Sequence, residues 1–180
     1  MNQTKLITSH YQYNVYEAPI EIIREKLDEK KAKIDVALKE LNIVEYDNND
    51  VQKTYDFVNV FNEIALTSTD PYEQLNSEII KEHFSQGSFL AYRFGKVVGY
   101  VILSFSQGKK GKIAAIAGVG IHHKARGRGL STAFLKYIVD WITDKKEYTW
   151  LEADILTSND VSIGLFTSLG FKKVDEFFLY

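Results

Sequence analysis

The amino-acid sequence predicts an α/β domain, because strand-like and helix-like patterns alternate along it. The clearest pair is an apolar, glycine-rich segment at residues 113–121 followed by an amphipathic helix that starts near Leu130. With 180 residues, 45% of them hydrophobic, the chain is long enough to bury a substantial core. The formal net charge of −2 disfavours general nucleic-acid binding, which usually needs a basic excess. The absence of cysteine excludes disulfides, zinc–thiolate sites and thiol nucleophiles.

The N-terminal segment alternates with a period of two. From Ile7 to Val15 the odd positions are mostly apolar and the even positions polar, which predicts a half-buried strand. Pro19 suits the first turn of a helix, and apolar residues then follow helical spacing from Ile20 to Leu41.

The middle of the chain contains two predicted helices and several strands. Residues 42–47 can form a short strand, and Asp50 can cap a helix that carries an apolar face up to Ala65. A second short helix is predicted around residues 75–84, and strands at 88–94 and 97–105. Gly95-Lys96 is the predicted two-residue turn between those strands.

The C-terminal part continues the alternation. The helix after Leu130 repeats apolar residues at three- and four-residue steps, and residues 148–157 form the next strand. A short helix follows, ended by Gly170 in a left-handed cap. Residues 172–180 form one last strand.

A glycine-rich, basic loop connects the strand at 113–121 to the following helix. Its sequence is HHKARGRGLS, residues 122–131. The first turn of a helix offers unpaired N–H groups and the positive end of the dipole, and Gly127 and Gly129 allow a phosphate to approach the main chain. Arg126 and Arg128 add positive charge at the rim. The alternative is an ordinary glycine turn with exposed basic residues, since the loop is neither a Walker motif nor a complete GxGxxG fingerprint.

Two motifs in this order and separation resemble the GNAT acyltransferase superfamily. The first is Arg126-Gly127-Arg128-Gly129-Leu130-Ser131, where the family has Arg/Gln-x-x-Gly-x-Gly/Ala; Ser131 departs from it. The second runs from Asn159 to Phe171, with Ser162 in place of the usual alanine. The resemblance covers residues 41–171. It implies a mixed, mostly antiparallel sheet flanked by helices, with a domain at 41–180 and a strand–helix extension at 1–40 packed on it.

The resemblance also implies a cofactor and its contacts. In the family the fourth and fifth strands diverge, and the pantetheine arm of acetyl-CoA lies between them. Acetyl-CoA is thus the expected cosubstrate, with no metal. The implied contacts are the strand end, the loop and the far wall: Val119, Gly120, Ile121, Arg126, Gly127, Arg128, Gly129, Leu130, Ser131, Asn159 and Phe166.

The usual proton-transfer residues of the family are missing. Where many relatives carry a glutamate base the chain has Ala115, and where many carry a tyrosine acid it has Phe166. Glu152 and Asp154 share one face of their strand and are the candidate catalytic residues, one of them acting as a base through water. The alternative is that both are solvated or structural carboxylates.

The sequence therefore predicts an acyl-CoA-dependent N-acyltransferase that moves an acetyl group to a primary amine. A non-catalytic acyl-CoA-binding module and a fold relative with another nucleotide ligand are the alternatives. The expected acceptor is a small-molecule or peptide amine. The resemblance implies that the loop with Asp70, Tyr72 and Glu73 walls its site, and the alternative is that these residues are helix caps. We expect no nucleic-acid or membrane partner and a cytoplasmic protein; a homodimer stays open. Relatives usually end with two strands where this chain has one, and the 7–15 segment could fill the place of the other.

Overall fold

The computed structural model describes residues 11–68, 74–84 and 86–179, and these form strands and helices in alternation. The strands are β1 (Tyr11–Pro19), β2 (Asn42–Glu45), β3 (Ser88–Arg93), β4 (Lys96–Gly108), β5 (Gly111–Ile121), β6 (Trp150–Leu156) and β7 (Lys172–Leu179). The helices are α1 (Ile20–Asp28), α2 (Lys31–Leu38), α3 (Val51–Ala65), α4 (Ser77–His83), α5 (Leu130–Asp144) and α6 (Asp160–Ser168).

The strands form one sheet in the order β2-β3-β4-β5-β6-β1-β7. Strands β5 and β6 pair in parallel, and the other neighbouring strands pair antiparallel. The predicted mixed, mostly antiparallel α/β fold is confirmed. The N-terminal strand β1 lies between β6 and β7 and pairs with both. The first strand in the sequence therefore lies beside the last one, which is the place that the alternating 7–15 segment was proposed to fill.

The two faces of the sheet are covered unequally. Helices α1, α2 and α5 pack on one face, where apolar residues of β1, β3, β4, β5 and β6 form the larger core. On the other face, α3 and α4 cover the part made by β2, β3 and β4 and form a second core around Phe57, Leu90 and Tyr100. The half of this second face made by β6, β1 and β7 opens into a cleft.

The N-terminal predictions are partly corrected. Ile7 lies outside the described residues, but β1 is a strand from Tyr11 onward. Its buried face is the even one, with Tyr16 and Ala18 in the larger core, while Val15 and Glu17 line the open cleft. The apolar odd positions thus mark the other side of the sheet.

The helical segment from Ile20 to Leu41 is two helices rather than one. α1 ends at Asp28 and α2 begins at Lys31, and both pack against α5. No glycine or proline lies at the break, so the sequence carried no stop signal there.

The turn between β3 and β4 is displaced by one residue from the prediction. Arg93 pairs with Lys96, so Phe94 and Gly95 form the turn, with φ angles of 51° and 75°. Two consecutive positive φ angles are those of a type I′ turn, which matches the twist of the two strands. The predicted cap of α3 is confirmed, since the Asp50 side chain accepts a hydrogen bond from the Lys53 N–H.

Candidate functional site

Strands β5 and β6 run side by side and then part. Their parallel pairing ends at Ile116 and Ala153. The pairing of β5 with β4 shifts register at the same place: Leu103 lies opposite Ile116 but Ile102 lies opposite Gly118, so Ala117 is an extra residue. Such a bulge bends its strand. From Ala117 onward, the β6-facing edge of β5 has no strand beside it among the described residues.

The main chain of this free edge can be oriented from one hydrogen bond. The His122 N–H donates to the Val98 carbonyl at 2.8 Å, so His122 faces β4. Since successive residues of a strand face opposite neighbours, Gly120 also faces β4, and Val119 and Ile121 direct their main-chain groups into the gap. Arg126 closes the end of this edge, because its Nε donates to the Ile121 carbonyl at 2.9 Å.

Gly120 has a packing role in addition to its place in the strand. A Cβ at this position would lie 2.9 Å from Cε1 of Tyr100 and 3.0 Å from Ile64. Packing in the second core therefore explains why residue 120 is a glycine, and the gap between β5 and β6 is not needed to explain it.

The loop after β5 presents main-chain N–H groups to solvent. A short 3₁₀ turn at His123–Ala125 is followed by two glycines in the left-handed region, Gly127 at φ 78° and Gly129 at φ 72°. No atom lies within 4 Å of a Cβ built on either glycine, so the space above the main chain is open. Gly129 is the N-cap of α5, and no side chain caps this helix end.

The start of α5 has the geometry that the predicted anion site needs. The first N–H groups of the helix, starting with those of Leu130 and Ser131, have no acceptor within the helix. The helix dipole adds positive potential there. Leu130 is 2% exposed and fixes the helix end to the larger core. Arg126 and Arg128 are exposed beside it.

Helix α6 forms the far wall of the gap. Asn159 is its N-cap, with Oδ1 accepting from the Ser162 N–H at 3.2 Å. Phe166 is 2% exposed, packs edge-on against Phe171 with ring centroids 5.0 Å apart, and lines the slot between β5 and β6. Both residues of the second motif that were predicted to contact a cofactor thus lie at the slot.

A cleft of about 560 Å³ opens on the uncovered half of the sheet. Its charged lining is predominantly acidic and consists of Glu17, Glu152, Asp154 and Asp175, with Lys109 and Lys110 at one end. Glu17 lies directly opposite Glu152 on the neighbouring strand, a like-charge pairing that destabilises a sheet. Within the part of the chain that the structure describes, no group of three or more His, Asp or Glu side chains is arranged to hold a metal ion.

The two candidate catalytic carboxylates lie in this cleft. Glu152 is opposite Ala115, the position of the base in many relatives, so a carboxylate stands one strand away from the usual place. Asp154 follows the last β5–β6 pair and lines both the acidic cleft and the slot. It is the residue that connects the two cavities.

The surroundings of both carboxylates raise their pKa values. Burial, followed by the charges of Asp154 and Glu17, raises the pKa of Glu152, and Lys110 opposes this rise. The Asp154 side chain opens to solvent in the cleft, but the surrounding protein partly desolvates it and raises its pKa. A base with a raised pKa holds a proton more readily near neutral pH.

The histidines of the loop lie away from the slot. His122 Nε2 lies 3.1 Å from the Glu63 carboxylate, and burial lowers the pKa of His122, as does the neighbouring His123. His122 lines a separate cleft with Arg93 and Lys124. This position agrees with the interpretation of His122 as a loop residue.

Some predicted positions lie outside the described residues, namely Asp70, Tyr72, Glu73 and Tyr180. Sequence reasoning missed Glu17 and Asp175 as parts of the site. Glu17 continues the odd-numbered positions of Tyr13 and Val15, so the sequence pattern places it on the same face of β1. Only the pairing of β1 with β6 shows that this face lines the acidic cleft. Asp175 carried no signal that we can identify. In the described residues, no helix has the length and apolar character needed to cross a bilayer.

Comparisons with known proteins agree with the predicted family and fold. The family model described as the acetyltransferase (GNAT) family matches residues 44–171. No curated protein matches the chain. Among solved structures, a functionally unknown conserved protein from Staphylococcus epidermidis ATCC 12228 is similar over 94% of this chain at 13% identity and a TM-score of 0.63. This chain spans 60% of the length of that protein.

Two solved structures with ligands are also similar. An aminoglycoside acetyltransferase, meta-AAC0020, from an uncultured soil metagenomic sample, in complex with sisomicin, has 15% identity and a TM-score of 0.64, with 79% of this chain and 96% of that chain covered. Naa50 from Arabidopsis thaliana, in complex with the bisubstrate analogue CoA-Ac-MVNAL, has 16% identity and a TM-score of 0.58, with 76% and 85% covered. At these identities the likeness shows the fold.

Proposed function

This chain belongs to the GNAT family of acetyltransferases, and we propose from this premise that it transfers an acetyl group from acetyl-CoA to a primary amine by direct attack. The observation that carries the proposal is the parting of β5 and β6 beside the uncapped start of α5. The slot between the two strands and the free N–H groups at the start of α5 thus lie next to each other, which supports an extended arm in the slot and its phosphates at the helix start. The carboxylate-lined cleft joins them at Asp154.

The donor is proposed to lie along the free edge of β5. Val119 and Ile121 face the gap and offer main-chain groups that can pair with the amides of a pantetheine arm. The pyrophosphate would meet the N–H groups from Arg126 to Ser131, with the two arginines at the rim. Phe166 would pack on the acyl end and Asn159 would remain the cap of α6 beside it.

The reaction needs one proton acceptor and no dedicated acid. The amine nitrogen attacks the thioester carbonyl carbon, the C–N bond forms, the C–S bond breaks and its electron pair leaves on the thiolate. The proton lost by the nitrogen passes to Asp154 or Glu152, directly or through water. Because a thiol has a pKa near ~8.5, the thiolate can leave unassisted, which removes the need for a tyrosine at the position of Phe166.

The acceptor is proposed to enter through the acidic cleft. Four carboxylates line it, and they favour a positively charged amine over a neutral or anionic one. Among the similar structures, an aminoglycoside acetyltransferase is in complex with sisomicin, and Naa50 is in complex with the bisubstrate analogue CoA-Ac-MVNAL. They support an amine acceptor for this chain without specifying which one.

Two measurements test the proposal. Titration calorimetry with acetyl-CoA should show binding, and Gly127→Glu should abolish it because a carboxylate would occupy the anion site. Release of free thiol over a panel of amines should then show turnover. Absence of binding in the wild type would refute the donor assignment.

A second candidate function is a non-catalytic acyl-CoA-binding module, which Ala115 and Phe166 favour. Binding of acetyl-CoA without thiol release for any amine would favour this alternative. The hydrolysis of acetyl-CoA in the absence of amine serves as the background rate.

A further inference from the structure

A lysine of the chain itself occupies one end of the acidic cleft. Lys110 lies at the tip of the β4–β5 hairpin and forms an ion pair with Glu17. Its Nζ also lies over the indole ring of Trp150, 4.1 Å from the ring centroid. The Glu17 side chain is 14% exposed, so this carboxylate is largely withdrawn from water.

Glu17 and Trp150 form an ammonium cage around the Lys110 Nζ. A carboxylate and the face of a tryptophan are the two kinds of partner that bind an organic cation most strongly. Trp150 and Glu17 lie on neighbouring strands: Trp150 is paired with Pro19, and Glu17 with Glu152. The cage is therefore built on the sheet, and only its occupant comes from a hairpin tip.

The cage is better explained by a ligand than by stability. The Lys110 side chain is 46% exposed, so water screens the ion pair from the lysine side and the pair adds only about 1 kcal/mol of stability, even though Glu17 is largely buried. The facing carboxylates Glu17 and Glu152 repel each other in the absence of a cation. The cation that faces Glu17 in the structure is the ammonium group of Lys110.

The cage lies at a definite distance from the proposed reaction centre. Asp154, which connects cleft and slot, is two residues along β6 from Glu152 and four from Trp150. At about 3.3 Å per residue, the cage is roughly 7–13 Å from the point where the reacting nitrogen would lie. The reacting nitrogen must lose its proton, whereas a nitrogen in the cage keeps its charge.

We propose that the Glu17–Trp150 cage binds a second ammonium group of the acceptor, and that Lys110 occupies it as an internal competitor until the acceptor arrives. The acceptor is then an amine with a second positive charge roughly 7–13 Å from the reacting nitrogen. This inference rests on the proposed function for the identity of the acceptor. The occupancy of the cage can be tested without it.

The first experiment measures the displacement of Lys110 from the cage and does not require turnover. Surface lysines are acetylated with a small amine-reactive ester, and the extent at Lys110 is read by peptide mass spectrometry. The probe is octamethonium, a bis-quaternary ammonium that cannot react with the ester; octyltrimethylammonium is the singly charged control. Octamethonium should raise labelling of Lys110 several-fold by displacing it. Lys112, which pairs with Glu147 outside the cleft, serves as the internal reference.

The second experiment measures whether the enzyme prefers an acceptor with two ammonium groups. In the wild type, 1,8-diaminooctane should have a lower KM than octylamine. Lys110→Met removes the competitor and should lower the KM for the diamine about 3- to 10-fold, as expected for a cation contact of ~0.5–1.5 kcal/mol. Lys112→Met removes a similar exposed ion pair two residues away and should leave both KM values unchanged.

The outcomes separate this inference from the proposed function. Unchanged labelling of Lys110 with octamethonium, or equal effects of the two ammonium probes, would overturn the cage. Turnover of octylamine with no preference for the diamine would overturn the inference and leave the acetyltransferase proposal standing. Displacement of Lys110 without any turnover would support the cage and count against catalysis.

Discussion

Asp154→Asn is the most informative single change, since Asp154 is the one side chain that lines both the slot and the acidic cleft. If Asp154 takes the proton of the attacking amine, the substitution should lower kcat by about 10²–10⁴-fold. At 1.36 kcal/mol for each factor of ten, this is roughly 3–5 kcal/mol of transition-state free energy. The amide keeps the shape of the carboxylate but cannot accept the proton.

Stability and cofactor affinity should not fall in this variant. Within the described residues, the Asp154 carboxylate makes no side-chain hydrogen bond or ion pair, so the amide leaves no side-chain partner behind. The raised pKa means that the folded protein binds this proton more tightly than the unfolded chain. The wild type therefore loses some stability as the pH rises through that pKa, and the variant does not. Because the side chain opens to solvent, we expect a change within about 0.5 kcal/mol, on the stabilising side.

The assay is thiol release with a primary amine that the wild type acetylates, measured from pH 5 to 9. The wild-type rate should rise with pH as Asp154 loses its proton, and this limb should be missing in the variant. Calorimetry should give an unchanged dissociation constant for acetyl-CoA. Asp175→Asn is the matched control, because Asp175 lines the cleft but not the slot. A kcat within about threefold of wild type in Asp154→Asn would show that another group, or water alone, removes the proton.

Three further changes test other parts of the structure. Gly127→Ala and Gly95→Ala each force alanine into a left-handed conformation with open space around it. Both variants should lose about 1–2 kcal/mol of unfolding free energy in urea, but only Gly127→Ala should weaken acetyl-CoA binding. Gly120→Ala should lose roughly 1–3 kcal/mol of folding stability, because its Cβ would clash with Tyr100 and Ile64. Gly164→Ala has open space in α6 and should gain up to about 1 kcal/mol of stability. Equal melting temperatures for the two variants would contradict this explanation. Deletion of residues 1–40 removes the strand between β6 and β7 and should give an insoluble or molten product, as measured by circular dichroism and gel filtration. A stable, soluble product would show that the sheet forms without β1.

The parts that the sequence predicted well are those set by neighbouring residues. The predicted strand, glycine loop and helix start follow one another within one short stretch, and the structure shows Gly127 and Gly129 in the left-handed region there. Phosphate binding by this loop stays a prediction. The cap of α6 by Asn159 and the positive φ of Gly170 are local in the same way. Each needs only the stereochemistry of the chain around it.

The parts that the sequence could not predict depend on distant pairing. Glu17 belongs to the acidic cleft because β1 lies between two strands that are more than 130 residues away. No local pattern encodes that position, and the period of two in β1 indicated the wrong buried face. The break between α1 and α2 has no helix-stopping residue, and the β3–β4 turn moved by one position because Phe94 accepts a positive φ.

The position of β1 also sets an order for folding during synthesis. β1 is translated first, yet its partner β7 begins at Lys172, about 150 residues after Pro19. At roughly 5–20 residues per second, the ribosome completes that partner some 8–30 s later. One edge of β1 lacks its ladder partner until β6 has been made, and the other lacks its partner until β7 follows. The carboxylate of Glu17 meets Glu152 only when β6 has been made, so a polypeptide stalled before β6 cannot form the ammonium cage.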